Sequence, residues 1–506
     1  MAFHGAPPAA RAPTTGETQM PASIRPLVDV RVSRTSPGVN RRDLPVSAHI
    51  CLAGNLGAVR RVEDGEWPCR HPTQGYRRDT MGSRAVVAGA ALMSLLFGLL
   101  VQAPLANAAV CPAPGGGPIS RTTTQTGDFV VIGGGFGHGV GLSQYGAKGA
   151  ASLGCTRGQI LRAYYPGATV ASSLPAGRDN IRVGLVPSEA NAVLPSHVDI
   201  QAVTSGVSWR LGGVTRSQPA GHTWRASVGT GGRYTVKRGT TTIFSAADGP
   251  LRITLKGSVV RLPAKNHRYN RGVLVLSWAG LGARTFVTNI INSLDRYLYG
   301  LAEMPSAWPR AALRAQAVAG RSYALQRRQA RDTNSTKWAT CRCDVYDSVS
   351  DQAYSGYDWE SVAPRWVAAV DATRGKTLRH AGVTATAFYH SSSGGYVESS
   401  AFVFGSTLPY STTFDDSRWE RASGNPNTTW VRAFSAEQIG AAFGVGVATA
   451  IQTPPPKGPS GRIGDPARGA GGVVIQGTYG TTTVSGPFFR TTLGLPSALF
   501  RVKSAS

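Results

Sequence analysis

The sequence predicts an α+β fold, in which a β-rich body carries a helix packed on sheet beside a cleft. Two observations support this prediction. Short runs of alternating apolar and polar residues are typical of strands, as in Ile181–Val186, Arg252–Val260 and Val383–Tyr389. Two longer segments are helical in character, one from Pro309 to about Arg331 and one from about Ser361 to Arg374.

The first 108 residues do not have the character of a folded domain. Residues 1–80 are rich in Pro, Arg, Ser and Gly without periodicity, which predicts an untranslated or disordered extension. Residues 81–108 have the layout of a signal peptide, with Arg84, an apolar run over 85–101 and a small-residue cleavage site ending at Ala108. An uncleaved membrane anchor is the alternative. Either interpretation predicts export.

The portion from residue 109 onward is long enough for one large domain or two modest ones. We predict a glycine-rich cleft segment over 109–170, an accessory β-rich module over 171–268 and a catalytic core over 269–506. The whole chain carries a net charge of +26, which favours polyanionic surroundings. Its arginines are scattered, without the aromatic and basic platform that single strands require, so nucleic acid is not an expected partner.

Four cysteines lie beyond the cleavage site, at 111, 155, 341 and 343. In an exported chain they suggest disulfides, and three pairings are open. Joining Cys341 to Cys343 would close a strained ring. No neighbouring Cys or His completes a zinc site with that pair, so neither a metal nor a cofactor is predicted.

Glu303 is a lone acid just before the first predicted helix, a position suited to proton transfer. At about 100° per residue, Arg314 and Arg321 fall on one face of that helix, and Gln316 lies between them in sequence. Leu313, Ala317, Gly320 and Ala324 form an adjacent strip suited to close packing. Solvated arginines are the alternative to a functional pair.

Three further segments carry polar groups suited to a ligand, and Tyr323 on the helix joins them. Tyr389–Gly395 ends a strand with hydroxyls and an imidazole, without the turn context of a serine hydrolase. Gly133–Ala147 lacks the Lys-Ser/Thr ending of a nucleotide loop. The third is Asp347–Tyr354. Their candidate residues are Tyr389, His390, Ser391 and Ser393; His138, Ser143, Gln144 and Tyr145; and Asp347, Asp351, Gln352 and Tyr354.

These segments together resemble the SpoIID/LytB family. The run around Glu303 is similar to its core motif, and Tyr389–Gly395 is similar to its Tyr-His-Ser-x-Ser-Gly-Gly signature. Gly133–Ala147 resembles a run that usually closes the domain but here precedes it, so the motif order is rearranged. Many relatives have Glu where this chain has Ala311, and Lys where it has Arg314, which alters hydrogen-bond geometry.

The resemblance implies an exported lytic transglycosylase that cleaves peptidoglycan glycan strands in wall remodelling or sporulation, with Glu303 as both acid and base. The polar residues of the helix, of the segment Tyr389–Gly395 and of the glycine-rich segment would bind the substrate. Asp347 to Tyr354 would order the cleft. Some relatives carry Cys and His metal ligands that are missing here. Anionic wall polymers and wall amidases are expected partners. The alternative is a non-catalytic wall-binding amidase enhancer. Either protein would be secreted to the wall or anchored facing outside.

Overall fold

The structure is a computed structural model that describes residues 111–175, 179–189, 193–278, 285–331, 333 and 335–504. The predicted extension over 1–80 and the signal peptide over 81–108 lie outside the described residues. Among the described residues, no helix is both long enough and apolar enough to span a bilayer. The described part is a mixed structure rich in strands, as predicted.

The helices of this part alternate with strands along the chain and are mostly short. In order they are α1 Gln144–Ser152, α2 Arg157–Tyr164, α3 Leu294–Tyr299, α4 Arg310–Gln329, α5 Thr336–Cys341, α6 Tyr357–Glu360, α7 Pro364–Asp371, α8 Ser400–Phe404, α9 Ser417–Ala422, α10 Ala436–Phe443 and α11 Gly486–Thr492. Side-chain caps begin several of them. Thr156 forms a capping box with Gln159 at α2, and Ser143 accepts from Gly146 N–H at α1.

The strands are also short. In order they are β1 Phe129–Gly133, β2 Leu142–Ser143, β3 Thr169–Ala171, β4 Ile181–Val186, β5 His197–Ala202, β6 Val207–Leu211, β7 Val214–Gln218, β8 Thr223–Val228, β9 Tyr234–Arg238, β10 Thr241–Ala246, β11 Leu251–Thr254, β12 Val260–Leu262, β13 His267–Tyr269, β14 Val273–Trp278, β15 Thr285–Ile291, β16 Val345–Tyr346, β17 Thr377–His380, β18 Val383–Thr384, β19 Tyr389–His390, β20 Tyr396–Val397, β21 Phe414–Asp415, β22 Trp430–Phe434, β23 Ala448–Gln452, β24 Val473–Gly477, β25 Gly480–Val484 and β26 Phe500–Ser504.

Two large sheets dominate the described residues. One has the order β16-β4-β15-β14-β11-β6-β7, and the other has the order β10-β9-β8-β5-β12-β13. Neighbouring strands in both are antiparallel except β16 and β4. Strands from the predicted accessory module pair with strands from the predicted core in the first sheet, and the boundaries of these segments stay a prediction.

Helix α4 lies at the centre of the main core. Its residues from Ala312 to Leu325 are buried with the single exception of Arg314, and α1, α2, α3, α7 and β17 pack around it. The small side chains of Ala317, Gly320 and Ala324 permit this close approach from several sides. The predicted packing strip is therefore confirmed.

Strand β1 connects the glycine-rich segment to the far end of the chain. It lies between β22 and β26 in a three-stranded antiparallel sheet, in the order β22-β1-β26. Phe129 and Val131 on β1, together with Phe489 and Phe500, help to form a second buried cluster. Pairing of an early strand with the last strand carries the loop after β1 to the core formed by later residues.

Two predicted strands are interrupted. The alternating run Arg252–Val260 divides between β11 and β12, which belong to different sheets, and Lys256 between them has a φ of 45°. That left-handed turn redirects the chain, although the polar pattern continues through it. Val383–Tyr389 likewise contributes only its ends, to β18 and β19. The second predicted helix, from about Ser361 to Arg374, is also shorter than expected and corresponds to α7, from Pro364 to Asp371.

The structure contains two disulfides among its described residues, Cys111–Cys155 and Cys341–Cys343. The second joins the closely spaced pair, an arrangement that the sequence argument disfavoured. The first links the segment before β1 to the start of α2. It closes a loop with a sequence separation of 44 residues, so it restricts the unfolded chain far more than the second does.

We expect Cys111→Ala/Cys155→Ala to lower the free energy of unfolding by about 2–4 kcal/mol, because the open loop gains conformational entropy in the unfolded state. Denaturant unfolding of the oxidised proteins measures the difference. Reductant should bring the wild type close to the double variant and should change the variant little. Equal stability of the oxidised wild type and the variant would contradict this expectation.

Candidate active site

Glu303 lies in the turn between α3 and α4, and the segment around Ala353 holds this turn in place. Ala302 N–H donates to Ala353 O at 2.9 Å, and Leu301 forms a β-bridge with Tyr354. Leu301 itself is buried. The backbone on the N-terminal side of the acid is thus fixed by two contacts, and the Glu303 side chain is half-buried.

Three segments distant in sequence donate hydrogen bonds to the Glu303 carboxylate. Ala353 N–H and the Tyr389 hydroxyl both donate to Oε1, at 2.8 and 3.0 Å. Gln144 Nε2 donates to Oε2 at 3.4 Å. Tyr389 comes from the hydroxyl-rich segment Tyr389–Gly395, and Gln144 comes from the glycine-rich segment. These two predicted site residues therefore meet at the predicted acid.

The pKa of Glu303 is raised above its ordinary value because burial penalises the charged form. The hydrogen bonds from Ala353, Tyr389 and Gln144 act in the opposite direction. Arg314 and Arg321 are not among the causes of this shift.

A chain of hydrogen bonds holds Tyr389 in position. The Tyr297 hydroxyl donates to Gln352 Oε1 at 3.1 Å, and Gln352 Nε2 donates to the Tyr389 hydroxyl at 2.9 Å and to Gly320 O at 3.2 Å. Gln352 and Tyr297 are buried. Because the Tyr389 oxygen accepts from Gln352, its proton is directed to Glu303.

An aromatic pair comes from residues close in sequence to this site, because Tyr145 follows Gln144 and Trp308 is five residues after Glu303. The rings of Tyr145 and Trp308 lie 4.9 Å apart between centroids, and both side chains are half-buried. Lys148 Nζ lies 5.2 Å from the Trp308 ring centroid and donates to Ser423 O. Partly exposed aromatic faces with a neighbouring cation are suited to polar ligands with apolar faces, such as sugar rings.

The predicted role of Arg321 in substrate binding is wrong. Arg321 is fully buried, and it forms an ion pair with Asp295 at 2.6 Å. Its guanidinium also donates to Val370 O and Lys376 O. These contacts tie α4 to α3 and to the chain around α7, so its charge is not available to a ligand.

The other predicted residues of α4 differ in exposure. Arg314 is exposed, while the Tyr323 hydroxyl is bound to Asp351 Oδ1 at 3.0 Å. Gln316 is fully buried, and its two amide atoms have no hydrogen-bond partner among the described residues. An unpaired buried amide is unfavourable, so Gln316 is a candidate for a contact made only when a ligand or a water is bound.

Asp416 and Glu420 form a buried acidic pair that contacts the segment Tyr389–Gly395. Glu420 accepts from Ser143 Oγ, Ser392 Oγ, Ser393 N–H and Asn425 Nδ2, as well as from Ser393 Oγ. Ser393 Oγ also lies 2.5 Å from Asp416 Oδ1, and its single proton serves one of the two acids at a time. Asp416 accepts from the Tyr164 hydroxyl at 2.9 Å. Burial, and next the charge of Glu420, raise the pKa of Asp416 well above its ordinary value.

Ser143 and Ser393 therefore hold the two polar segments together, and the prediction that they bind substrate is wrong. Both are fully buried, and their hydroxyls are used by Glu420 and by the backbone at the start of α1. Ser391 differs because it is half-buried, and its carbonyl accepts from Tyr145 N–H at 3.0 Å.

His138 and His390 lie together, apart from Glu303. Their ring centroids are 5.4 Å apart, and His390 Nδ1 is 3.0 Å from Val140 O. Tyr389 and His390 are successive residues of β19, so their side chains leave opposite faces. Tyr389 reaches Glu303, whereas His390 packs beside His138. The structure therefore does not bring His390 to Glu303, and the predicted role of both imidazoles in substrate binding stays a prediction.

Most side chains of the segment from Asp347 to Tyr354 contact other residues of the protein rather than the Glu303 carboxylate. Asp347 pairs with Lys265, Asp351 pairs with Lys337, and Tyr354 stacks on Tyr297 at 5.1 Å. The direct contributions of this segment to the carboxylate are the Ala353 N–H and the relay through Gln352. These positions are compatible with the predicted role in ordering the cleft, which stays a prediction.

Sequence reasoning missed the acidic pair, Tyr297 and the Ala353 N–H. No side-chain pattern indicates a backbone donor. Asp416 and Glu420 are four residues apart on or beside a short helix, a spacing that is normally typical of a solvated face. The large apolar side chain of Trp419 between them could have indicated that this face is buried, and Trp419 is indeed buried.

The half-buried acid with a raised pKa, hydrogen-bonded by residues of three segments, defines a candidate acid–base site for a polar substrate. Residues 284–380 match the profile of the SpoIID family, described as Stage II sporulation protein. This match includes Glu303, α4 and Gln352 and ends before Tyr389. Within this segment the chain is thus similar to the SpoIID family.

A curated relative supports the same assignment. The chain is similar to a protein of Bacillus subtilis (strain 168) named amidase enhancer, with 36% identity over 137 residues. The aligned segment covers 27% of this chain and spans only 16% of the length of that relative. No solved structure matches the chain significantly.

Proposed function

We propose that this protein is a lytic transglycosylase that cleaves the glycan strands of peptidoglycan with Glu303 as its single acid and base. The observation that carries the proposal is the environment of this carboxylate. Its pKa is raised by burial, and it is held by Ala353, Tyr389 and Gln144. A carboxyl group that keeps its proton nearer to neutral pH is suited to protonate a glycosidic oxygen.

The two oxygens of Glu303 would have different tasks. Oε1 accepts two hydrogen bonds, from Ala353 N–H and from Tyr389. Oε2 accepts one longer hydrogen bond, from Gln144. The transferable proton is therefore assigned to Oε2, because a proton on Oε1 would compete with two donors. Gln144 would then help to position the leaving group.

In the reaction Glu303 would donate one proton and then accept another. Glu303 donates its proton to the glycosidic oxygen as the bond to the anomeric carbon breaks. The resulting carboxylate then takes the proton of the sugar's own 6-hydroxyl, whose oxygen attacks the anomeric carbon. The product end is a 1,6-anhydromuramoyl group, and no water is consumed. Intramolecular attack favours this outcome because the nucleophile is already in place.

A single carboxylate distinguishes this mechanism from ordinary glycoside hydrolysis, which uses two. In the described part of the chain, the acids nearest to the site in sequence have structural partners. Asp347 pairs with Lys265, and Asp351 is bound by Lys337 and Tyr323. Asp295 is occupied by Arg321. These pairings support a mechanism that depends on Glu303 alone.

We expect Tyr389→Phe to lower the rate by about 10- to 100-fold, because Glu303 loses one of its positioning contacts. Tyr389 also lowers the pKa of Glu303, so its removal should raise that pKa further. The active form is protonated, and activity should therefore be lost at a higher pH than in the wild type. Rates measured from pH 4 to 9 test this shift.

Tyr479→Phe is the matched control, since Tyr479 is 85% exposed. Its pH profile should coincide with that of the wild type. An unchanged profile for Tyr389→Phe as well would show that the hydroxyl does not act on Glu303.

The proposed substrate is outside the cytoplasmic membrane, so the protein is proposed to be exported to the cell wall. N-terminal sequencing of the exported form tests this location, with Ala109 as the expected first residue. Purified protein with glycan strands free of stem peptides tests the activity. Anhydromuramoyl ends detected by mass spectrometry support it, and their absence at all enzyme concentrations contradicts it.

A second candidate is a wall-binding protein that stimulates amidases, favoured by the name of the Bacillus subtilis relative, amidase enhancer. The same aromatic and polar groups would then bind glycan without cleaving it. Stimulation of a wall amidase by both the wild type and Glu303→Gln, without anhydromuramoyl products from either, would favour this candidate.

A further inference from the structure

A cavity lies beside His138. Its volume is about 220 Å³, and its lining includes His138, Arg462 and Arg490 together with apolar side chains such as Phe402 and Ile463. Neither Glu303 nor Tyr389 is among the described residues that line it. This volume is below the ~300–1,000 Å³ that is usual for small-molecule sites, so the cavity fits the terminal group of a larger ligand better than a whole polymer chain.

Arg462 is a buried cation whose hydrogen bonds are incomplete. It is 2% exposed, and it donates through Nη2 to Ser393 O at 3.0 Å and through Nε to His138 O at 3.4 Å. Nη1 is buried and has no partner among the described residues. Burial lowers the pKa of Arg462 to about 10, which leaves the group charged at neutral pH. A buried, unsatisfied guanidinium is costly and calls for an acceptor.

No acid of the described residues forms an ion pair with Arg462 within 4.0 Å. The buried acids Glu398 and Asp416 act on it only from a greater distance. Asp465 lines the same cavity, but its carboxylate accepts from Ala467 N–H at 3.0 Å and faces Arg468. The cavity therefore keeps an excess of positive charge.

Arg490 provides a second guanidinium in the lining. It is half-buried, and its Nε donates to Leu495 O at 3.2 Å. The charge of Arg490 is one of the causes that lower the pKa of Arg462, after burial. Two cations that repel each other across a mainly apolar cavity would both be stabilised by one bound anion.

We propose that this cavity binds a carboxylate carried on a small apolar group, with Arg462 and Arg490 as its anchors. A planar carboxylate matches the fork of donors that a guanidinium presents, and a single charge is less costly to desolvate than the double charge of a phosphate. Phe402 and Ile463 would contact the apolar part. Two sources share this chemistry, the C-terminal alanine of a peptide and the lactyl group of muramic acid. The second source rests on the proposed function.

The test is isothermal titration calorimetry of the full chain with four probes, namely N-acetyl-D-alanyl-D-alanine, its C-terminal amide, N-acetylmuramic acid and inorganic phosphate. At least one of the two carboxylates should bind, and the peptide acid should bind at least about tenfold more tightly than its amide if the peptide is the source. Tighter binding of N-acetylmuramic acid would identify the sugar as the source. Binding of phosphate alone, equal binding of acid and amide without binding of N-acetylmuramic acid, or no binding would overturn the proposal.

Arg490→Gln should weaken carboxylate binding by about tenfold or more, because one charge-assisted anchor is lost. Arg490 is half-buried, so this variant is expected to fold, and its melting temperature verifies that. Lys457→Gln is the matched control. Lys457 is an exposed cation five residues before Arg462, and it is not among the residues that line this cavity. Unchanged binding by Arg490→Gln would contradict the assignment. Glu303→Gln should bind as the wild type does, which separates this proposal from the proposed function.

Discussion

Glu303→Gln is expected to reduce glycan cleavage by about 10³-fold while leaving the fold intact. The amide has almost the same shape as the carboxylate, and its oxygen can still accept from Ala353 N–H and Tyr389 at the positions that Oε1 occupies. It cannot give up a proton and take one back, and acid–base catalysis of this kind contributes about 10²- to 10⁴-fold. Product formation from denuded glycan measures the loss.

Glu189→Gln is a suitable control because Glu189 is exposed. It should keep the wild-type rate, and both variants should unfold at nearly the wild-type temperature. Retention of most activity by folded Glu303→Gln would remove the acid from the mechanism. A large fall in its melting temperature would instead indicate a structural role.

Glu420→Ala is expected to have the largest effect on stability, lowering the free energy of unfolding by more than about 3 kcal/mol. Five donor groups, from Ser143, Ser392, Ser393 and Asn425, converge on this buried carboxylate. Each buried donor left without a partner costs about 1–3 kcal/mol. Denaturant unfolding provides the measurement, and Glu189→Ala should remain within about 0.5 kcal/mol of the wild type.

Glu420→Gln separates the charge of this residue from its hydrogen bonds. Asp416 has a raised pKa because of burial and then because of Glu420, so its protonated form stabilises the folded state. That stability is fully present below the unfolded pKa of about 4 and is lost as pH rises through the raised folded value. Removing the neighbouring charge should make this loss smaller. An identical pH dependence in both proteins would show that the two acids are not coupled.

Much of the candidate site could be predicted from the sequence. Glu303, Gln144 and Tyr389 are predicted to meet, and they do, because β2 pairs with β19 and so brings the glycine-rich segment to Tyr389. Gly141 shows why glycine is needed there. A Cβ at this position would lie 2.0 Å from Phe388 O, so a larger residue would separate the two segments.

Other features could not be predicted, because they depend on what packs against a given face. A helical projection places Arg314 and Arg321 on the same side, yet Arg314 is exposed and Arg321 is enclosed by Asp295 and the carbonyls near α7. The spacing gives the direction of a side chain but not its neighbours. Likewise, the alternation of β19 places Tyr389 and His390 on opposite faces, but it does not indicate that His390 packs beside His138.

The most direct test of the role of Glu303 is cleavage of denuded glycan in water enriched with ¹⁸O, with the products analysed by mass spectrometry. Internal attack by the 6-hydroxyl predicts anhydromuramoyl ends without ¹⁸O from the wild type and almost none from Glu303→Gln. Reducing ends that contain ¹⁸O would indicate hydrolysis by water, and equal yields from the two proteins would contradict a proton transfer through Glu303.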